Sequence, residues 1–445
     1  MSNLSDSQTT ILRSIFSSAP DSAVASLESA LSGEVERGGP MAAVHALVAR
    51  EAVERRLRSL IFAPLAPLCK NHGGPYPRFS SKVLTLLCQA LRETTPAGIR
   101  AAEAIGPLED EEDRIYAAGV FDNLCRIAAR GLRNDTPAFA AARALLEGAE
   151  ADGVEKFLHY LDLTPLARGA LNHLPDWLGR LTNERAVAIR IAYKDAVDVA
   201  EDDGPRLLDI LCAHMGEPWK VLHLISAIMD RPTDRFAAGS EVARFGEYFM
   251  DDIDQRLNQF RNFDLDGGRA GGMAAAANLH TASLEIAEFE GSLELSRDGL
   301  WGARVARQKQ SLAQLAETRL AQIDKAVDKA LPLLLVKFGK GLRGFPKLTE
   351  DPQPMMLRRA ESLLAFYEQS RAGANQSGYG SARAKAGERL DERLDQYVED
   401  LLEMRRGDEV ENMDRVRRYL EAAAQLIGVA KGDKAAQLVR RRAAA

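Results

Sequence analysis

Two sets of carboxylates have the spacing that metal chemistry asks for. Asp195, Asp198 and Asp202 stand at i, i+3 and i+7, and Glu247, Asp251 and Asp254 at i, i+4 and i+7, with Asp252 beside them. On an α-helix each set shares one face, because residues three and four apart are surface neighbours. Like charges placed this way repel. Water tolerates that, whereas burial requires a compensating cation. Two such faces turned toward each other hold Mg²⁺ between their carboxylates and the oxygens of a substrate diphosphate. Under this reading Asp195, Asp198, Asp202, Asp251 and Asp254 are the metal ligands, and Lys337, Lys340 and Arg343 contact phosphate or an acidic partner.

Helical isoprenoid synthases use paired acidic motifs in that general manner. Asp251-Asp-Ile-Asp-Gln lacks the last Asp of DDxxD, however, so the likeness is one of chemistry and assigns no family. A solvated acidic face accounts for both sets without a metal. Other signatures fail on context. Gly339-Lys-Gly341-Leu-Arg-Gly344 fits GxGxxG, but Pro346 follows where a helix N-terminus would receive a pyrophosphate, and no βαβ unit surrounds it. Asp264-Leu-Asp266-Gly267 opens like a calcium loop, yet the twelfth residue is Ala275 where a glutamate is required. The histidines show neither HExxH nor HxxxH spacing, and there is no GxSxG. Cys69, Cys88, Cys125 and Cys212 are spread singly among apolar neighbours and read as buried free thiols. No cofactor is expected.

Charge distribution carries more information. The chain has 58 basic and 64 acidic side chains, a net −6, which gives no general attraction to nucleic acid or to anionic lipid. Between Arg297 and Arg343, however, ten basic side chains stand against four acidic ones, a local +6. A phosphate-bearing ligand, an acidic partner or the acidic stretch from Asp391 to Asp400 would complement it. A solvated helix face is the plainer account.

The elements that must position these residues are helical. Hydrophobic residues make up 46% of the chain and aromatic residues only 6%, with Ala and Leu dominant, a composition that favours helices over strands. Acidic clusters and N-cap residues predict helix starts at Asp110 and Asn183. At 445 residues, two or three domains are expected. The sequence suggests a multi-helical domain over 1–263, a Gly-rich linker over 264–275, and a long-helix, coiled-coil-like region over 276–371. A flexible linker over 372–382 and a C-terminal helical bundle over 383–445 complete the order. The Gly-rich linker rests on four glycines in nine residues, each costing about 1 kcal/mol in a helix interior. Along a helix spanning 303–331, Leu312, Leu315, Leu320, Ile323 and Val327 form a near-heptad stripe, the expected seam of a homo-oligomer.

The N-terminus, MSNLSDSQTT, has no basic and apolar signal pattern, and prolines break the longest apolar runs well short of the ~20 residues of a membrane span. A cytoplasmic protein is expected. Taken together, the residues favour a non-enzymatic helical interaction, scaffold or regulatory protein that acts through protein partners. A Mg²⁺-dependent enzyme acting on a phosphorylated or diphosphate substrate through its acidic helix faces is the alternative.

Overall fold

The computed structural model describes residues 4–32, 40–70, 73–106, 110–338, 341–406 and 413–444. The chain forms two compact units, Met1–Asp230 and Arg231–Ala445. Among the described residues both are all-α, apart from one two-stranded hairpin. The first unit contains α1 Asp6–Ser18, α2 Asp21–Leu31, α3 Pro40–Ile61, α4 Ser81–Thr94, α5 Pro96–Glu103 and α6 Glu111–Arg133. It continues with α7 Ala140–Glu147, α8 Gly153–Asp162, α9 Thr164–Trp177, α10 Asn183–Val199, α11 Asp203–Ala213 and α12 Val221–Ile228. The second unit runs through α13 Asp234–Ala238, α14 Ala243–Arg261, α15 Gly268–Ser292, α16 Leu300–Leu320 and α17 Ile323–Ala330. The antiparallel strands β1 Leu333–Phe338 and β2 Gly341–Pro346 follow, then α18 Pro354–Gln369, α19 Gly380–Arg406, α20 Met413–Lys431 and α21 Asp433–Ala444.

Local chemistry sets the helix starts. Asp110 accepts a hydrogen bond from the Asp113 amide at the head of α6, and Thr182 does the same for Arg185 at α10, so both expected starts are found. In the first unit, Arg168 of α9 fastens the end of α3: its guanidinium donates to the carbonyls of Leu60 and Ile61 and to the Asp122 carboxylate. These are carbonyls that a helix end leaves without intrahelical donors. All four cysteines are free and buried. Burial pushes the Cys88 thiol up to about 11 and the Cys125 thiol to about 12, which keeps both protonated and unreactive near neutral pH.

The second unit departs from the expected domain layout in three places. First, α13 and α14 pack with α15 and α16, so the division between compact units falls at 230/231 and not at 263. Second, the glycine-rich stretch is not a linker. It holds a 3₁₀ turn, Leu265–Gly267, and the first turns of α15. The positive φ of Gly268 (59°) turns the chain into the helix. A side chain at Gly272 would place its Cβ 2.0 Å from the Ser362 carbonyl oxygen, so glycine there lets α15 and α18 touch backbone to backbone. The helix cost of these glycines is offset by that packing. Third, the 372–382 stretch is a packed loop up to Tyr379 that runs straight into α19 at Gly380. Ala374, Ser377 and Tyr379 are buried, Tyr379 Oη donates to the Ser370 carbonyl, and the Ser283 and Ser377 hydroxyls are 2.6 Å apart.

The near-heptad stripe is core. Leu312, Leu320, Ile323 and Val327 are fully buried inside the second unit and Leu315 is half-buried. The helix is also interrupted at 321–322, between α16 and α17. The sequence period is real, but the stripe is satisfied within the same chain, chiefly by α14 and α15 against α16 and by α18 and α19 against α17, and its buried members form no seam for a second copy. Ile323→Ala is therefore expected to lower unfolding free energy by about 2–5 kcal/mol in urea denaturation, whereas Leu334→Ala on the exposed hairpin should change it by less than about 0.5 kcal/mol.

Candidate functional site

The two carboxylate sets fold differently. Asp195 and Asp198 lie exposed on α10, but α10 ends at Val199, where Ala200 turns extended, and Asp202 stands beyond it at the start of α11. The three therefore do not share one continuous helix face, because the chain breaks where the i+7 position would fall. The second set does share a face. Glu247, Asp251 and Asp254 line one side of α14, and Arg304 of α16 closes on them, with N–O distances of 3.3, 2.5 and 2.7 Å. The cation compensating this face is a guanidinium. Among the described residues no group of three or more His, Cys, Asp or Glu side chains is placed to hold a metal ion.

A different carboxylate is strongly perturbed. Glu285 of α15 is 1% exposed, neither of its oxygens makes a hydrogen bond among the described residues, and Arg256 Nε lies 3.6 Å away. Burial, reinforced by the neighbouring Asp252 carboxylate, pushes its pKa up to about 9, while Arg256 pulls the other way. Arg256 is itself engaged with Asp252 at 2.8 Å. Because Glu285 stays neutral in the folded chain and ionises in the unfolded one, its contribution to stability is greatest at acidic pH. It falls as pH rises from about 4.5 toward 9.

The phosphate-contact residues named from sequence fall on the hairpin. Lys337 is exposed on β1, and Arg343 on β2 stacks over Phe345 and reaches Asp400 of α19 at 3.4 Å. Lys340 lies outside the described residues, as does Gly339. The other two glycines of the GxGxxG match, Gly341 and Gly344, lie within β2 and open no helix. The partner strand itself stands out. Leu334, Leu335 and Val336 are 55, 64 and 40% exposed, so β1 shows apolar side chains on both faces, and its second edge has no partner strand among the described residues.

A second feature was only half visible in the sequence. α17 and α18 border a depression of about 270 Å³ lined by Arg319, Lys325, Lys329 and Arg359, over a floor that includes Leu265, Met356 and Leu363. On α18 the lining positions 356, 359 and 363 follow helical spacing, as do 325, 326 and 329 on α17. A neighbouring depression of about 330 Å³ shares Lys329 and Met356 and adds Lys347 and Tyr419, together with Glu350 and Asp351. Asp351 is engaged by Arg415 and Arg418. Arg319, Lys325 and Lys329 belong to the basic segment noted above. Arg359 and the apolar floor arrive from a helix distant in sequence, and only its i, i+3, i+7 pattern could have hinted at them.

Two basic side chains near the C-terminus pair with the acidic helix α19. Lys431 contacts Asp391 and Asp395 at 3.1 Å each, and Arg442 contacts Glu399 at 2.7 Å. No helix among the described residues is long and apolar enough to cross a membrane. No family model matches the chain, and no curated protein or solved structure matches it either.

Glu285→Gln keeps a neutral, similarly shaped group and removes the ionisation penalty, so it should stabilise the fold by about 1–3 kcal/mol at pH 8. The gain should shrink toward pH 4.5, as read by thermal melts across pH. Arg304→Ala leaves three carboxylates uncompensated on α14. It should cost about 0.5–1 kcal/mol at low salt, and progressively less as salt is raised in the same melts.

Proposed function

We propose that this protein is a non-enzymatic interaction protein that captures a polypeptide partner, with the β1–β2 hairpin as a docking element. The observation that carries the reading is the exposed, apolar, half-paired strand β1. Exposed edges and aliphatic rows of this kind are a liability that proteins ordinarily blunt with charge, proline or a covering element. Here only Lys337 interrupts the exposed row. An extended segment added along the free edge would complete backbone hydrogen bonds, and aliphatic side chains at alternate positions would cover Leu335 on one face or Leu334 and Val336 on the other. Lys337 favours an acidic residue at the matching position of that segment. A regulatory or scaffolding role, rather than chemistry, fits a chain in which Arg304 already occupies the acidic set that shares one helix face.

The test uses the full chain as bait, in wild-type form and as Leu335→Glu. Because Leu335 is exposed, the variant should keep the wild-type melting temperature within a few degrees. It should also lose the partner that wild type retains, and the purified partner should slow amide hydrogen exchange in 333–338 of the wild type. Retention of the same partner by Leu335→Glu, or protection elsewhere with the hairpin unchanged, would overturn the reading.

A further inference from the structure

The depression between α17 and α18 has an unusual charge inventory. Its four cationic side chains have no carboxylate among the residues lining it, in a protein whose net charge is −6. The acidic residues of α17 are already engaged elsewhere. Asp324 and Asp328 of α17 face the other way, toward α19, where Arg389 holds the first at 3.0 Å and Arg393 the second at 2.9 Å. Of the four cations, Arg359 is paired, with Asp266 at 2.5 Å. Lys325, Lys329 and Arg319 have no carboxylate partner among the described residues.

Arg319 is the most telling of the three. Its guanidinium is half-buried over the Phe263 ring, 4.9 Å from the centroid, and is fixed by the Arg261 carbonyl and the Gln322 side chain, both neutral acceptors. Burial without an opposing charge lowers its pKa from the usual guanidinium value. A cation oriented by neutral groups, and left without its counter-charge, is set up to receive an anion from outside. Lys325 and Lys329, one helical turn apart, repel each other until an anion bridges them.

We infer that this depression is a binding site for a phosphorylated organic anion. Its phosphates sit on the rim formed by Arg319, Lys325 and Lys329, and its apolar or aromatic body lies on Leu265, Met356 and Leu363. The volume, about 270 Å³, adjoins the neighbouring 330 Å³ depression at Lys329 and Met356, which gives room for a ligand the size of a nucleotide. A few convergent charges above an apolar floor are the usual composition of a small-molecule site. A long acidic peptide fits less well, because the second depression is lined by Glu350 and Asp351 along the track it would follow. This inference stands on residues separate from the hairpin and survives or falls independently of it.

Calorimetry with ATP and with inorganic triphosphate as probes tests it, on the full chain and on the Lys325→Glu/Lys329→Glu double variant. Both lysines are exposed at the rim of the depression, so the double variant should keep its fold, as checked by its melting temperature. ATP is expected to bind at one site, with affinity falling as salt rises, and the double variant should bind roughly tenfold more weakly or worse. Met356→Ser, which adds no charge, should weaken ATP more than triphosphate and so separates the apolar contact from the phosphate contact. Absence of heat from both probes on the wild type would overturn the proposal, as would equal affinity of the double variant. Equal affinity of the wild type for ATP and triphosphate would overturn its organic part. Binding of a glutamate-rich peptide with no response to either phosphate probe would mark the site as one for acidic polypeptide instead.

Discussion

The backbone contact between α15 and α18 at Gly272 is the constraint on which the second unit turns. A Cβ there would collide with the Ser362 carbonyl, so the two helices can approach this closely only because that position is glycine. Gly268, at positive φ, starts α15 at the angle the contact requires. The consequences reach the surface. The 3₁₀ turn that leads into Gly268 supplies Leu265, and α18, held by the contact, presents Met356, Arg359 and Leu363 beside it. A glycine pair therefore fixes both the packing of the core and one wall of the basic depression. The aromatic set Phe260, Phe263 and Phe366, with ring centroids 5.1 to 6.4 Å apart, fills the space on the inner side and carries Arg319 on its outer face.

Ion pairs in this unit settle which charges around the basic depression are compensated. Several acidic and basic side chains cancel locally: Arg304 with the α14 carboxylates, Arg389 and Arg393 with Asp324 and Asp328, Lys431 and Arg442 with α19. Pairs this exposed contribute little to stability individually, with a median of about 0–1 kcal/mol. Their larger effect here is that Arg389 and Arg393 take Asp324 and Asp328 away from the neighbouring Lys325 and Lys329. Among the cations without a carboxylate partner, Arg319, Lys325 and Lys329 converge on one depression with an apolar floor. The buried Glu285 beside Asp252 and Arg256 is a separate case, a carboxyl kept neutral in the core.

The helical period in the sequence marked α16 and α17 correctly as amphipathic, yet it could not say whether the apolar stripe met another chain or its own. A stripe at 312, 320, 323 and 327 looks the same in either setting, since burial against any partner selects the same side chains. The apolar run at 333–338 was equally ambiguous. A mostly apolar run bounded by Pro332 and Gly339 fits a short strand as well as a buried helix segment, and only pairing with 341–346 resolves it. The glycine-rich stretch misled for a related reason: propensity disfavours glycine in a helix, but close packing rewards it, and only the tertiary contact reveals which effect wins.

What the sequence determined by itself was the class of structure and its local starts: helices throughout, beginnings at Asp110 and Asn183, single buried thiols, and a basic segment in an acidic chain. These follow from neighbouring residues, because propensity, capping and net charge are local properties. What the tertiary structure decided was which charges are left over and where they gather. Lys325 and Lys329 were legible as basic residues. Only folding gives their acidic neighbours to α19 and brings Met356, Arg359 and Leu363 opposite them, because compensation depends on distances that sequence separation does not encode.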